Sequence, residues 1–267
     1  MRALRSIAAT AIVATFALAG CSSGTSSSGG ETLRVGASPS PHGKVLTYVQ
    51  ENLAEDAGLN IEIVEYTDYV EPNKALEAGD IDANWFQHIP YLEESAEANN
   101  WDFVHGEGTH LEPLGLFSEK YSAADEKTED ASIGIINDPT NQSRALTLLA
   151  GLGFVELPAS GDINAATVTP LNGTELVEVE GPALVRNLQD LDYAVINGNF
   201  AQEGGLTPAD AIALEETSDN PYVNVLVWKS DATNKEAIKK LDELLHSDEV
   251  RTYIEQTWPD KSVIPAF

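Results

Sequence analysis

The sequence predicts an α/β chain folded as two lobes with mixed sheets and a cleft at the hinge between them, and three observations predict it. Strand, helix and strand alternate over residues 33–64, and the same alternation starts again at residue 132. Pro113 interrupts the apolar run 112–118, where the chain leaves the first lobe, and Asn220-Pro221 introduces the run 223–228 that brings it back. Ahead of both points the stretch 67–91 ends a short apolar strand on Phe86, Gln87, His88 and Tyr91. An aromatic, amide and imidazole cluster of this kind is where an open α/β domain places a small-molecule site. Packing beneath the next helix is the plainer use for the same side chains.

Taken in order, residues 33–37 (LRVGA) form the first strand, and Ser38 to Gly43 break it. Val45, Tyr48, Val49 and Leu53 give residues 44–56 helical periodicity, Gly58 stops that helix, and 61–64 is the next strand. This is one β-α-β unit, with parallel strands and a right-handed crossover. A second helix ends over 76–79, residues 81–85 make the third strand and 91–99 the third helix, and 102–105 and 112–118 are further strands. In the second lobe 132–136 is a strand, and Asp138 with Pro139 opens a helix that Gly151 or Gly153 ends. Residues 175–179 and 193–196 are strands on either side of the helical segment 181–188. Two helices close the chain, 232–245 and 248–257, with Leu241, Leu244 and Leu245 on one face of the first.

The first residues address the compartment. Arg2 and Arg5 precede an apolar run of small residues that closes on Leu18-Ala19-Gly20-Cys21, too short to span a bilayer. It resembles a bacterial lipoprotein signal in which Cys21 becomes the lipidated first residue, and 22–30 is a Ser/Gly tether. Cys21 is the only cysteine, so no disulfide forms within the chain. The expected layout is a signal peptide over 1–20, lipidated Cys and tether over 21–31, lobe one over 32–111, lobe two over 112–228, and a return to lobe one over 229–267. A formal charge of −28 makes nucleic acid a poor partner, because phosphate contacts need local Lys/Arg density.

Arg144 is the sharpest single signal. It is one of fifteen basic residues and follows Asn141 by three positions on the helix that Asp138 opens. Both fall in the first two turns, where free N–H groups and the helix dipole favour an anion, and Arg offers a bidentate fork for a carboxylate. The competing use of Arg144 is a pairing with one of the many surface carboxylates. Asn197 and Asn199 in VINGN offer amides, although Asn-Gly is also a common turn. Asp68 reads as a helix cap. His105, His110 and Glu112 are the residues from which a zinc site would be built, and a zinc-receptor alternative needs His88 to converge with them. The motifs G-x-S-x-G, H-E-x-x-H and G-x-x-x-x-G-K-[ST] do not occur, so neither hydrolysis nor ATP turnover is expected.

Longer stretches carry a resemblance. Asp68-Tyr69-Val70-Glu71-Pro72-Asn73, Gly79-Asp80-Ile81-Asp82-Ala83-Asn84, Phe86-Gln87-His88 and Pro90-Tyr91-Leu92 lie in the first lobe. Asn137-Asp138-Pro139-Thr140-Asn141 with Arg144, Ala194-Val195-Ile196-Asn197 and Pro221-Tyr222-Val223-Asn224 continue it through the second. Together they resemble the NlpA-type substrate-binding lipoproteins over essentially the whole mature chain. The resemblance implies a periplasmic-binding-protein-like fold that clamps L-methionine between its lobes. It would deliver the ligand to an ABC permease driven by a separate ATPase, as a monomer on the outer face of the cell membrane. No catalysis, cofactor or metal is implied. In this resemblance Arg144 takes the ligand carboxylate, Asn141 and Asn197 hold the amino-acid backbone, and Tyr69, Phe86 and His88 line the side-chain cavity. Tyr91 and Asn224 stand further out. One departure concerns specificity: the family's Thr-Phe-Val-Tyr-Pro is Thr109-His110-Leu111-Glu112-Pro113 here. With His110 and Glu112 facing the pocket, D-methionine, a Met-containing dipeptide or another amino acid enters the range, and Glu112 is available to the ligand ammonium.

Overall fold

The computed structural model describes residues 31–267; the expected signal segment, Cys21 and most of the tether lie outside the described residues. In chain order the elements are β1 (Glu31–Ala37), α1 (Lys44–Asn52), β2 (Leu59–Glu65), α2 (Glu71–Ala78), β3 (Ala83–His88), α3 (Ile89–Asn99), β4 (Phe103–Leu111) and β5 (Gly115–Phe117). Then follow β6 (Ser132–Ile136), α4 (Pro139–Gly151), β7 (Val155–Glu156), β8 (Thr169–Pro170), β9 (Glu175–Val179), α5 (Leu184–Asn187) and β10 (Tyr193–Ile196). The chain closes with α6 (Gly198–Glu203), β11 (Ala213–Leu214), β12 (Asn224–Lys229), α7 (Lys235–Leu245), α8 (Asp248–Thr257) and β13 (Ile264–Pro265).

Two mixed sheets organise these elements. The first runs β13-β4-β12-β3-β1-β2 and the second β11-β5-β10-β6-β9. In the first, β1 pairs in parallel with β2 and β3, while β12 runs antiparallel to β3 and β4. In the second, β6 pairs in parallel with β9 and β10, and β5 is antiparallel to β10. Each sheet is covered on both faces. Leu33, Val35, Ala37 and Trp85 meet α1, α7 and α8 on one side of the first sheet, and Val225, Val227, Leu76 and Leu92 fill the other. Ile133, Ile135, Tyr193 and Val195 bury against α4 in the second lobe, with Ile136, Ile196 and Phe200 on the opposite face. Burial on both faces explains why β3 and β10 show no alternation at all.

Local chemistry sets the boundaries. Gly79 closes α2 at φ 79°, a left-handed position that costs glycine little. Asp82 accepts from the backbone N–H of Arg34 at 2.8 Å and pairs with its guanidinium, so the chain turns through 79–82. The third strand therefore starts at Ala83, two residues after the expected start at 81, and runs on to His88. Phe86, Gln87 and His88 lie inside this strand, where cross-strand pairing of His88 with Asn224 holds them. The expected strand at 102–105 extends to Leu111, because β12 and β13 pair with it. The expected end of lobe two at residue 228 also moves: β12 is a central strand of the first sheet, so the chain is back in lobe one by Asn224. The helix expected over 44–56 stops at Asn52, and that expected over 232–245 starts at Lys235.

Candidate ligand-binding site

The cavity lies where the carboxyl ends of β3 and β10 face each other across the lobes, the position an open α/β sheet offers a ligand. The space between its walls, part of it open to solvent, is about 350 Å³, and it is lined by Tyr69, Phe86, Gln87, His88, Tyr91 and Asn224 from the first lobe and its return strand. Glu112, Asn141, Arg144, Asn197, Gly198 and Asn199 complete it. Of the ten side chains expected at a ligand, nine line this space. His110 lies directly behind it, with Nε2 2.9 Å from Glu112 Oε1.

The first-lobe wall is aromatic. Tyr69 lies 6.0 Å from Phe86 and 5.9 Å from Tyr91, and stacks at 4.7 Å on Phe200 of α6. Tyr91 donates its hydroxyl to the carbonyl of Tyr69 at 2.7 Å, and the Tyr69 hydroxyl bonds Asn199 Oδ1 across the cleft. Burial holds the Tyr69 phenol well above its ordinary pKa, so it stays a neutral donor. His88 is the N-cap of α3: its Nδ1 accepts the N–H of Tyr91 at 3.2 Å, which leaves the proton on Nε2 to donate to Asn141 Oδ1 at 3.1 Å. Burial and the nearby Arg144 charge push this imidazole down to about 3, so the ring is neutral.

The second-lobe wall is polar. Asp138 caps α4 by accepting the N–H of Asn141 at 2.8 Å, and it also holds the Asn141 side-chain amide at 3.1 and 3.2 Å. Asn141 Oδ1 is thereby aimed at His88 and accepts the Asn197 amide at 2.8 Å. Arg144 is bound from behind: Nε donates to Glu215 Oε2 at 2.8 Å, Nη2 bonds Glu215 Oε1 and the Glu112 carbonyl, and the guanidinium lies 4.5 Å from the Tyr222 ring centre. Among the described residues Nη1 makes no hydrogen bond, so one edge of the fork remains for an anion. Asn197 Oδ1 and Asn199 Nδ2 are buried without a partner, one acceptor and one donor at the same cavity. Burial pushes Glu112 up to about 7 against the opposing fields of His42 and Arg144.

The model for the NlpA lipoprotein family matches residues 33–267. The chain belongs to that family. Among curated relatives, the D-methionine-binding lipoprotein MetQ of Salmonella typhi is 37% identical over 249 residues, 90% of each chain. A lipoprotein from Actinomyces odontolyticus superposes with a TM-score of 0.87 at 60% identity, covering 88% of this chain and 99% of its own. A nutrient-binding protein from Burkholderia cenocepacia, bound to methionine, gives 0.84 at 33% identity over 88% of this chain and 100% of its own. This NlpA-family chain is accordingly an extracytoplasmic, lipid-anchored protein that binds a small molecule and is not an enzyme. Among the described residues no helix is long and apolar enough to cross a membrane.

Several expectations are revised by the geometry. The zinc set His88, His105, His110 and Glu112 does not assemble. His105 sits on an exposed part of β4 with its ring on the carbonyl of Gly106, and His88 is committed to Asn141. The imidazole that joins His110 and Glu112 is His42, which precedes α1 and gave no sequence signal beyond a loop. Asn73 and Asn84 of the motif that carried the resemblance do not line the cavity, and Gln87 does so while also bonded to them. Asn73, Asn84 and Gln87 interlock through buried amides at 2.8–3.0 Å and pin α2 to β3. Asp68 accepts the N–H groups of Val70 and Glu71 ahead of α2, the capping use expected of it. The sequence does not single out Glu215, which reaches Arg144 from 71 positions away, nor Tyr222 and Phe200, aromatics near Asn224 and Asn199 that only the fold turns onto Arg144 and Tyr69.

Proposed function

We propose that the chain captures L-methionine, or a closely related amino acid or Met-containing dipeptide, between its lobes. It then delivers the ligand as a monomer to an ABC permease powered by a separate ATPase. One observation carries this reading: a single cavity combines an aromatic wall with an unengaged guanidinium edge and two unpartnered buried amide atoms. The ligand carboxylate takes Arg144 Nη1. Its ammonium takes Asn197 Oδ1 and the carboxylate of Glu112. A thioether is polarizable and packs well against the rings of Tyr69, Phe86 and Tyr91. The relatives agree in kind, since one is called D-methionine-binding and another was seen with methionine.

Calorimetry with L-methionine, D-methionine, leucine and Gly-Met tests the assignment. L-methionine is expected to bind with one-to-one stoichiometry, and Arg144→Ala to weaken it by a hundredfold or more, about 3 kcal/mol for a lost charge-assisted contact. Saturable binding of leucine but of no methionine compound would overturn it.

A further inference from the structure

Behind the cavity lies a cluster whose two imidazoles the amino-acid reading does not use. His42, His110 and Glu112 are all buried, and each offers a donor atom within 4.8 Å of the others. His110 Nε2 is 2.9 Å and His42 Nε2 3.4 Å from the same carboxylate oxygen, Glu112 Oε1. Asn224 Oδ1 lies 3.1 Å from His42 Nε2 and adds a fourth donor.

Proton counting on Thr109 fixes one tautomer. Its hydroxyl accepts Trp85 Nε1–H at 3.0 Å and gives its only proton to the Asn224 carbonyl at 2.8 Å. The remaining lone pair faces His110 Nδ1 at 3.1 Å, so Nδ1 carries the proton. The lone pair of the neutral His110 ring then points from Nε2 at Glu112. Two acceptors meet there, and a bridging cation must sit between them. In the metal-free chain that cation is a proton. His42 Nε2 faces the acceptor Asn224 Oδ1 at 3.1 Å and so carries the proton in the metal-free chain, while its Nδ1 is buried without a partner and can take that proton when Nε2 turns its lone pair to a metal.

We infer that His42, His110 and Glu112, with Asn224 completing the set, form a binding site for a divalent first-row transition-metal ion at the floor of the cavity. Metal–ligand bonds of about 2.0–2.2 Å put neighbouring donors about 3 Å apart in an octahedral shell and about 3.4 Å apart in a tetrahedral one. The separations at Glu112 Oε1 and Asn224 Oδ1 fall in that range. Two imidazole nitrogens and a carboxylate select zinc or cobalt over calcium or magnesium. The Nδ1–H of His110 on Thr109 is the orienting hydrogen bond that metal-bound imidazoles characteristically make. Glu112 and Asn224 also line the cavity, so the ion enters through it. The site stands whichever amino acid the cavity takes.

The purified full chain, stripped of metal by a chelator that is then removed, is titrated with Co²⁺ and Zn²⁺. One equivalent of Co²⁺ is expected, with visible d–d absorption that Zn²⁺ abolishes by displacement. The chain has five histidines, so NMR on the unsubstituted protein can locate the ion. Co²⁺ is expected to shift the ring protons of His42 and His110 far outside the diamagnetic range. His42→Gln and His110→Gln are each expected to lose at least tenfold in affinity and Thr109→Val about tenfold, whereas His105→Gln changes nothing. No saturable one-to-one binding, paramagnetic shifts centred on His105 or His246, or undiminished binding in both glutamine variants would each overturn the site. The NMR reading needs no variant, so a substitution that fails to fold does not disable it.

Discussion

Asp138 shows how a single carboxylate is pulled two ways. Its hydrogen bonds from Asn141 favour the charged form, as does the field of Arg144, while burial and the facing Glu94 on α3 push it up to about 6. The unfolded chain ionises it near the ordinary value of about 3.9. A folded pKa above the unfolded one means the carboxylate supports folding at low pH and loses that contribution as the pH rises through 6. Asp138→Asn keeps a capping oxygen and removes the charge. It is therefore expected to raise Tm relative to the parent at pH 8, with a gain that shrinks as the pH falls from 6 towards 4. A gain of constant size across that range would contradict this origin. Much of the residue-scale chemistry was legible in the chain: an Asp-Pro helix start with Asn and Arg one turn apart reads as an anion site. Glu215 was not legible, because it approaches Arg144 from 71 positions away and acidic residues are abundant everywhere.

The decisive contact at the level of elements is the approach of α6 to the link between β4 and β5. A Cβ on Gly198 would lie 2.8 Å from Cβ of Glu112 and 3.4 Å from its carbonyl carbon. Gly198 thus lets the first turn of α6 bring Asn197 and Asn199 up to the cavity. Gly198→Ala is expected to displace that turn, lowering ligand affinity about tenfold and stability by about 1–3 kcal/mol, the usual range for overpacking. Unchanged calorimetric affinity would show that the turn has room to give. Helix bounds match the expected ones at α4, where an Asp-Pro cap and a glycine stop mark them, and at α8. Strands were read less well. The start of β3 depends on how Asp82 is used by Arg34, and its end depends on pairing with β12 more than 130 residues later.

The lobes meet in a closed arrangement across the whole molecule. His88 bonds Asn141, Tyr69 bonds Asn199 and stacks on Phe200, and Ser40 bonds Gln202 at 3.2 Å. A ligand clamped by both walls binds this state and not the unfolded chain, so it stabilises by mass action. Methionine at a hundred times its Kd is expected to add about 2.7 kcal/mol and to raise Tm with the logarithm of its concentration. Thermal melts over a concentration series check this. A Tm that does not move despite measured binding would mean that the ligand also binds the unfolded chain. Small-angle scattering adds a geometric check, since a ligand that selects the closed pair of lobes lowers the radius of gyration or leaves it unchanged, and never raises it.

The chain by itself determined the α/β alternation in two lobes and the caps of α2 and α4, and it marked the stretch 67–91 as a candidate wall of a site, because these signals are local and periodic. Only the tertiary structure decided which histidine joins His110 and Glu112, where β12 belongs, and what holds Arg144. It also divided the 67–91 motif between ligand wall and buried amide lock. Each of those outcomes depends on strand register or on contacts between residues remote in sequence. Residue type alone gives an imidazole, an amide or a guanidinium no partner until the sheets bring one within reach.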